Sequence, residues 1–481
     1  MKKNIWFLRP DSPEGFYMVT KLSEKFNINL IVSNTMWSRK FLNKKKFKDK
    51  VMINEKILNL SYCKNFSTNK IPEKNSDYKN LYIAMQIMER NERFESELSF
   101  EERNYVIHQQ YAFWKSKIEK DKPSFVIFSD IPHMYYEMVI ISILNEKKIP
   151  AIIMYHGFGY TVFLDKDLKA VNIGNGKKFD QLKNTYLDKI IKSKSIKHDV
   201  LLNEKSSLIK DIFFLSKLIF IIPIKFIFSK NAIDLNSKYI KKTNFEFGHS
   251  STFSEHIDNV RVAINTFFVK QFYNFTSKKF TDLSKKKYIY FPLIAHYECH
   301  YHPANSPLNY IIILETLLDK IPKNVHVLIK EHPRQFFFRA QQKFSRSIGF
   351  YRKLKSFDNV EYISTNTNHR ELIKNSLYVI CSSVSTTALE CIALKKKFIN
   401  FGISIFEEKH TIHLKNLIKI NHDNKISYKN EKKSKNLFFP ERFDYDIPKD
   451  AFCMNKSDAK SIAKRLITLI CKYGPYSKLI K

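Results

Sequence analysis

The side chains best suited to chemistry in this 481-residue chain lie in polar stretches that each follow an apolar run. One is Lys330-Glu331-His332-Pro333-Arg334, which brings a cation, a carboxylate, an imidazole and a guanidinium to the end of the run from Val325 to Ile329. Another is the hydroxyl cluster Ser382, Ser383, Ser385, Thr386 and Thr387, which follows Leu377 to Cys381 and opens a helix-like segment holding Glu390. Hydroxyls and free backbone N–H groups at a helix N-terminus favour phosphate. Ser and Thr also cap helices with no ligand involved, and a proline-closed polar loop needs none either. Two such stretches at strand ends of one sheet favour binding, because ligands of open α/β sheets sit beyond the carboxyl ends of the strands.

A third set lies in the N-terminal half. Asp130 and His133 follow the apolar Phe125 to Phe128, and His156 follows Ile149 to Tyr155, ahead of Gly157 and Gly159. A carboxylate and imidazoles on one rim suit acid–base or nucleophilic work. Asp130 as a plain cap for the helix after Pro132 has equal weight. Beyond Tyr288 to Leu293 come His296, Glu298, His300 and His302. Their spacing fits no zinc pattern, so His296 and Glu298 are read as loop contacts and no metal is expected. Asp165-Lys166-Asp167 has D-x-D spacing but is read as surface.

These groups need a scaffold. Asn4 to Leu8, Ile28 to Val32, Pro123 to Asp130 and Ile149 to Tyr155 read as buried strands separated by helical patterns. A second block of the same kind starts at Tyr288. The predicted fold is α/β: two Rossmann-like domains whose parallel sheets face a central cleft. The predicted divisions are an N-terminal Rossmann-like domain over 1–195, a connector over 196–285, a C-terminal Rossmann-like domain over 286–415 and a helical tail over 416–481 that packs across the domains. Within the connector, Ile212 to Phe228 is very apolar yet contains Lys217, Pro223 and Lys225. It is short for a membrane span. It reads as a segment lying in a membrane interface, with a buried core helix as the other reading.

Hydrophobic content of 44% and aromatic content of 14% argue for a folded chain. The formal net charge of +35 favours anionic partners, a membrane surface among them. No zinc finger, RNP signature or Arg-rich arm is present, so nucleic acid is not an expected partner. The six cysteines show no paired spacing and read as reduced core thiols. Met1 to Pro10 has no apolar h-region, so no signal peptide is expected. These features suggest a cytoplasmic protein, peripheral at the inner membrane.

Three motifs together carry a family resemblance. They are Tyr290-Phe291-Pro292-Leu293 with His296-Tyr297, then Ile329 to Arg334, then Ser382-Ser383 through Glu390 with Phe401-Gly402. In order and spacing they resemble the capsule polysaccharide biosynthesis glycosyltransferases over residues 285–405, and more weakly at Phe128 to His133. The His-Pro and Ser-Ser/Thr motifs are similar to those of bacterial sialyltransferases and Kdo transferases, which have the GT-B fold and use CMP-activated acidic sugars. The resemblance implies that His332 meets the donor phosphate, that Ser382, Ser383, Ser385 and Thr386 hold phosphate or nucleotide, and that Glu390 holds the donor ribose. With Lys330, Glu331, Pro333, Arg334 and Thr387 these make up the expected donor side. Relatives often carry a glycine-containing turn where this chain has Ser382 to Thr386, so backbone approach to phosphate is less close here.

The function expected on this basis is metal-independent transfer of a sugar from a nucleotide-sugar donor to a glycan or lipid-linked acceptor. CMP-Kdo is one candidate donor, and no cofactor besides the co-substrate is called for. Asp130, with His133 and His156, is the expected catalytic set. A CDP-glycerol-type phosphotransferase, a nucleotide-sugar epimerase and a non-catalytic basic membrane protein stand as alternatives.

Overall fold

The computed structural model describes residues 2–58, 60–63, 75–91, 99–157, 160–166, 208–221, 252–282, 286–294, 309–336, 346–382, 385–402, 411–420, 426–428, 441–442, 463–464 and 466–467. Its strands form two α/β sheets. The first joins Asn4–Leu8 (β1), Asn27–Ser33 (β2), Val51–Ile53 (β3), Phe125–Phe128 (β4) and Ala151–Gly157 (β5), all parallel, in the order β3-β2-β1-β4-β5. Tyr160–Leu164 (β6) turns back antiparallel on β5. The second sheet holds Tyr288–Pro292 (β7), His326–Lys330 (β8), Val360–Ile363 (β9), Tyr378–Cys381 (β10), Phe398–Asn400 (β11) and Thr411–His413 (β12). These six are parallel, in the order β9-β8-β7-β10-β11-β12. Leu417–Ile420 (β13) and Ile426–Tyr428 (β14) form a separate hairpin. Glu441–Arg442 (β15) returns to the first sheet as an edge strand on β6. Ala463 and Leu466 join the core beside Met18, Val19 and Leu22.

The sequence dictates this pattern through unbroken apolar runs. Ile5 to Leu8 and Phe125 to Phe128 are buried without alternation, as are Val327 to Ile329 and Val379 to Cys381. Strands covered by helices on both faces need such runs. The helices that return the chain are Pro13–Lys25 (α1), Thr35–Leu42 (α2), Asn54–Leu58 (α3), Asn75–Asn91 (α4), Phe100–Asp121 (α5) and Tyr135–Glu146 (α6) in the first block. Leu208–Ser216 (α7) and Thr252–Thr276 (α8) follow, then Tyr310–Leu318 (α9), Ile348–Lys355 (α10), His369–Asn375 (α11) and Thr386–Ala393 (α12). Local chemistry sets their starts. The Ser12 hydroxyl accepts from the Gly15 N–H at 2.9 Å ahead of Pro13, and Ser99 with Glu102 forms a capping box on α5. Gly15 is required by contact: a Cβ there would lie 2.6 Å from the Pro10 carbonyl oxygen.

Two stretches of the expected connector have definite roles. The end of α8 belongs to the second core: Tyr273 packs on Phe336, Tyr351 and Tyr362, and the Lys278 N–H donates to the Tyr362 carbonyl at 2.8 Å. Helix α7 touches α8 and runs on into the π turn Lys217–Ile221, yet Ile209, Ile212, Phe213 and Phe220 are exposed, Ile209 by 78%. That exposure rules out a fully buried core helix for this segment; its continuation over 222–228 lies outside the described residues. Among the described residues no helix is long and apolar enough to cross a membrane. Cys63, Cys381 and Cys391 are buried free thiols.

Candidate active site

In both sheets the strand order reverses at the first strand, between β1 and β4 and between β7 and β10. Such switch points open a crevice at the carboxyl ends of the strands, and the candidate residues gather around both.

At the rim of the second sheet, β8 and β10 flank β7. The ends of β8 and β10 are therefore about 10 Å apart, two strand spacings. Lys330 and Glu331, expected to meet the donor, turn into the protein instead. Lys330 is 6% exposed and donates from Nζ to the Thr367 carbonyl at 2.6 Å. Glu331 is 1% exposed; its Oε1 accepts the His332 N–H at 2.7 Å, and its Oε2 accepts from Arg346 and from the Tyr351 hydroxyl at 2.6 Å. The Tyr273 hydroxyl accepts the Glu331 N–H at 2.9 Å and donates to the Ile363 carbonyl at 2.7 Å. Burial opposes charge on Arg346, but Glu331 beside it outweighs burial and holds the guanidinium above its ordinary pKa. Arg346 also donates to the Ile294 carbonyl at 2.6 Å and lies over the Tyr310 and Phe350 rings. The physical reason for the correction is that burial continues past the last residue of a parallel strand, so a charge there must find partners inside. His332 and Pro333 are partly exposed, and Pro333 opens the 3-10 turn Pro333–Phe336. Arg334 lies in this turn, its side chain outside the described set.

The hydroxyl turn is also largely committed within the chain. Ser382 is fully buried, and its carbonyl accepts the Ser385 hydroxyl at 2.6 Å. That hydroxyl accepts the Ala388 N–H at 3.3 Å, so Ser385 caps α12. Thr387 is buried with Oγ1 at 3.3 Å from His369 Nε2, while Thr386 is partly exposed. Ser383, like His296 and Glu298, lies outside the described residues.

One turn into α12, Glu390 meets the start of α11. Its Oε2 lies 3.1 Å from His369 Nε2, and its Oε1 accepts from Arg370 Nε at 3.2 Å. Burial opposes ionisation of Glu390, but His369 and Arg370 outweigh it and hold the carboxyl below its usual range. His369 Nδ1 lies 2.7 Å from the hydroxyl of Tyr290, which is buried in β7. Beside Glu390 a recess of about 370 Å³ opens between α11 and α12, lined by Asn368, Arg370, Glu371, Lys374 and Leu394 among others.

At the rim of the first sheet the structure brings Asp130 and His133 together and adds two groups. Arg9 follows β1 with φ of 56°, a left-handed conformation rare for a side chain of this size. It places Nη1 3.1 Å from His133 Nδ1 and 3.4 Å from Glu137 Oε2. The same Glu137 oxygen accepts the N–H groups of His133 and Met134 at 2.9 and 3.0 Å, fixing the start of α6. Asp130 does cap locally: its Oδ1 accepts the Ile131 N–H at 2.7 Å. Its other oxygen lies 3.9 Å from His133 Nδ1, and 43% of the side chain is open to water. Burial raises the Asp130 carboxyl to about 7 against the pull of Arg9; its water-facing side tempers that rise. His133 is pushed down to about 3 by burial and by the Arg9 charge, so its ring is neutral at physiological pH. His156 lies opposite Thr161 within the β5–β6 hairpin, inside a strand and not beyond its end, and its side chain is outside the described set.

Arg9, Glu137, Tyr290, His369 and Arg370 were not among the expected site residues. The first two carry no motif. Asn368 before His369 is a helix-cap signal that marks where α11 starts, though not what His369 meets.

Residues 269–431 match the model of the capsule polysaccharide biosynthesis protein family. No curated protein sequence matches the chain. Among solved structures, the chain is similar to a UDP-GlcNAc 2-epimerase of Methanocaldococcus jannaschii in complex with UDP-GlcNAc and UDP, at 14% identity and a TM-score of 0.24, over 97% of this chain and 99% of that one. It is similar to the UDP-GlcNAc 2-epimerase of Neisseria meningitidis bound to UDP-GlcNAc, at 12% identity and a TM-score of 0.19, over 83% and 82%. It is similar also to KpsC of Thermosulfurimonas dismutans, a beta Kdo 2,4 transferase, at 12% identity and a TM-score of 0.23, over 58% and 70%. None of these overlaps is close enough to transfer a function. The matched residues 269–431 hold the second sheet and its polar rim, and it is this part of the chain that is similar to the capsule polysaccharide biosynthesis proteins.

Proposed function

We propose that this chain is a glycosyltransferase of capsule biosynthesis that takes its sugar from a nucleotide donor held at the second sheet and passes it to an acceptor held at the first. The observation that carries the proposal is the family match over the sheet whose switch point is flanked by the His332 loop and the start of α12. In this reading Asp130 takes the proton from an acceptor hydroxyl as that oxygen attacks the anomeric carbon. The glycosidic C–O bond forms, the bond from sugar to phosphate breaks, and the nucleotide leaves with the electron pair. His332 and the N-terminal N–H groups of α12 stabilise the charge on the leaving phosphate, which residues of this kind do without a metal. A CMP-linked acidic sugar is the donor class we favour, on the motifs His332-Pro333 and Ser382-Ser383.

A thermal-shift screen with CMP, CDP, UDP, GDP and ADP tests the donor side. A ligand at a hundred times its Kd adds about 2.7 kcal/mol to the native state. CMP should raise the Tm, and His332→Ala should remove the rise while the unliganded Tm stays the same. A rise with UDP or GDP alone would keep the transferase and discard the donor class. A CDP preference with a phosphodiester product would replace it by a phosphotransferase. No rise with any nucleotide would overturn the reading.

We place the enzyme at an anionic membrane surface. The support is the exposed apolar stripe Ile209, Ile212, Phe213 and Phe220 on a chain of net charge +35. Such a face enters a lipid interface while basic groups are drawn to anionic headgroups. Sedimentation with vesicles containing phosphatidylserine should carry the protein down at low salt, and Phe213→Glu with Phe220→Glu should leave it in the supernatant. Equal sedimentation of that double variant would sink the assignment.

A further inference from the structure

One side chain of α8 reaches both ends of the loop that carries His332. The parallel ladder of β8 and β9 runs as far as Lys330 opposite Ile363. The Val327 N–H donates to the Asn359 carbonyl at 2.8 Å, and the rungs of a parallel ladder advance by two residues. A continued ladder would therefore join the Glu331 N–H to the Ile363 carbonyl. The Tyr273 hydroxyl stands in that rung instead. It accepts the Glu331 N–H at 2.9 Å and donates to the Ile363 carbonyl at 2.7 Å. The partners fix both directions, since an amide N–H only donates and a carbonyl only accepts. Burial keeps the phenol proton in place for the second bond. The ring of Tyr273 packs on Phe336, with centroids 5.3 Å apart. Glu331 opens the loop and Phe336 closes its 3-10 turn, so His332, Pro333 and Arg334 are spanned by contacts to one residue. Beyond α8 the chain is anchored beside β9: the Lys278 N–H donates to the Tyr362 carbonyl at 2.8 Å, and the Lys278 carbonyl accepts the Ser364 N–H at 3.3 Å. Within the loop, Glu331 Oε1 accepts the His332 N–H at 2.7 Å and the His332 carbonyl accepts the Gln335 N–H at 2.8 Å. The backbone on both sides of the imidazole is thus held.

We propose that Tyr273 is a positioning residue for the donor: its hydroxyl replaces one rung of the β8–β9 ladder, its ring grips Phe336, and together these set where His332 stands at the rim. This rests on the donor role proposed for His332, and it extends that role to a buried residue outside the polar loops. A direct N–H···O=C bond is about 2.9 Å long, and a hydroxyl between the two groups spaces them wider. Without the hydroxyl, the Glu331 N–H and the Ile363 carbonyl either close the rung directly or lose their partner. Both outcomes move the start of the loop, and His332 with it.

Calorimetric titration of the full chain with CMP, CDP, UDP, GDP and ADP tests this on Tyr273→Phe, which keeps the ring. Affinity for whichever of them the wild type binds should fall about tenfold, the scale of one hydrogen bond to a charged group. Tyr362→Phe is the matched control. Its hydroxyl is buried in the same aromatic cluster but donates to the Tyr351 carbonyl at 2.7 Å and not to the loop. That variant should keep the wild-type affinity. Equal losses in the two variants would mean general loosening of the cluster, and unchanged binding in Tyr273→Phe would mean that the hydroxyl does not set the loop. Either result overturns the positioning role and leaves the donor assignment standing. Hydrogen exchange on the unliganded wild type gives a second reading that needs no variant to fold: the amides over 331–336 should exchange within about tenfold of those in β8. Exchange there at the rate of an open loop would overturn the proposal. A wild type that binds none of the five nucleotides removes the donor assignment and this inference together.

Discussion

Replacing Asp130 by asparagine is expected to slow sugar transfer by about 10³-fold, within the range that loss of a general base produces, while leaving the nucleotide thermal shift unchanged. Asparagine keeps an oxygen for the Ile131 N–H, so the turn into α6 survives. In the wild type the rate should rise with pH through an inflection at or just below about 7, because the carboxyl must lose its proton to act and burial holds that proton on. His133 cannot supply this inflection, since burial and Arg9 push its pKa down to about 3 and the ring is neutral throughout. His133→Gln should therefore leave the inflection in place. Stability gives an independent readout. A carboxyl whose folded pKa is raised contributes stability that is fully present below its unfolded pKa and is lost as pH rises through the folded value. Asp130→Asn should thus raise the Tm at pH 8 relative to the wild type and make little difference at pH 4. Nucleotide release followed from pH 5 to 9 checks the kinetic half and calorimetry the other. A wild-type profile flat across pH 6 to 8, with full activity in the asparagine variant, would remove Asp130 from the base role.

Arg346→Met should lower the stability of the second block by about 3–5 kcal/mol, the effect of removing one partner from a buried ion pair. The side chains of Glu331 and Arg346 are 0% and 3% exposed, so the variant strands a carboxylate with no water to receive it. For a domain of this size that is a fall of roughly 10 °C in Tm. The loss should extend to nucleotide binding, because the same carboxylate holds the His332 N–H at 2.7 Å. Adding Glu331→Gln to Arg346→Met should recover part of the stability by removing the stranded charge, a coupling that only residues in contact show. Urea or thermal melting of the single and double variants checks both points. An Arg346→Met protein that melts with the wild type would mean that the pair does not hold this rim.

Much of the frame was legible without coordinates. The apolar runs at Asn4, Phe125, Tyr288, Val325 and Leu377 lie where β1, β4, β7, β8 and β10 form. Buried parallel strands and amphipathic crossovers are written as local periodicity, so the α/β architecture could be read directly. The expected strand end after Tyr155 was less accurate, because β5 continues to Gly157 and turns back into β6. Whether two glycines make a loop or a hairpin depends on what pairs with them, which no local pattern records.

The sequence by itself determined which polar groups reach the strand ends: Asp130 and His133 on one sheet, Lys330 to Arg334 and Ser382 to Thr387 on the other. Only the tertiary structure decided what those groups do there. Glu331 and Lys330 became buried supports because Arg346, Tyr351 and Thr367 lie across from them. Asp130 kept an open side, and Arg9, 124 residues from His133 in the chain, set the charge around it. His369, which no motif marks, lies between the Tyr290 hydroxyl and the Glu390 carboxylate. The physical reason is range: strand and helix patterns arise from neighbours along the chain, whereas the protonation and orientation of a polar side chain are set by charges and dipoles within a few ångströms in space, and those come from elements far apart in sequence.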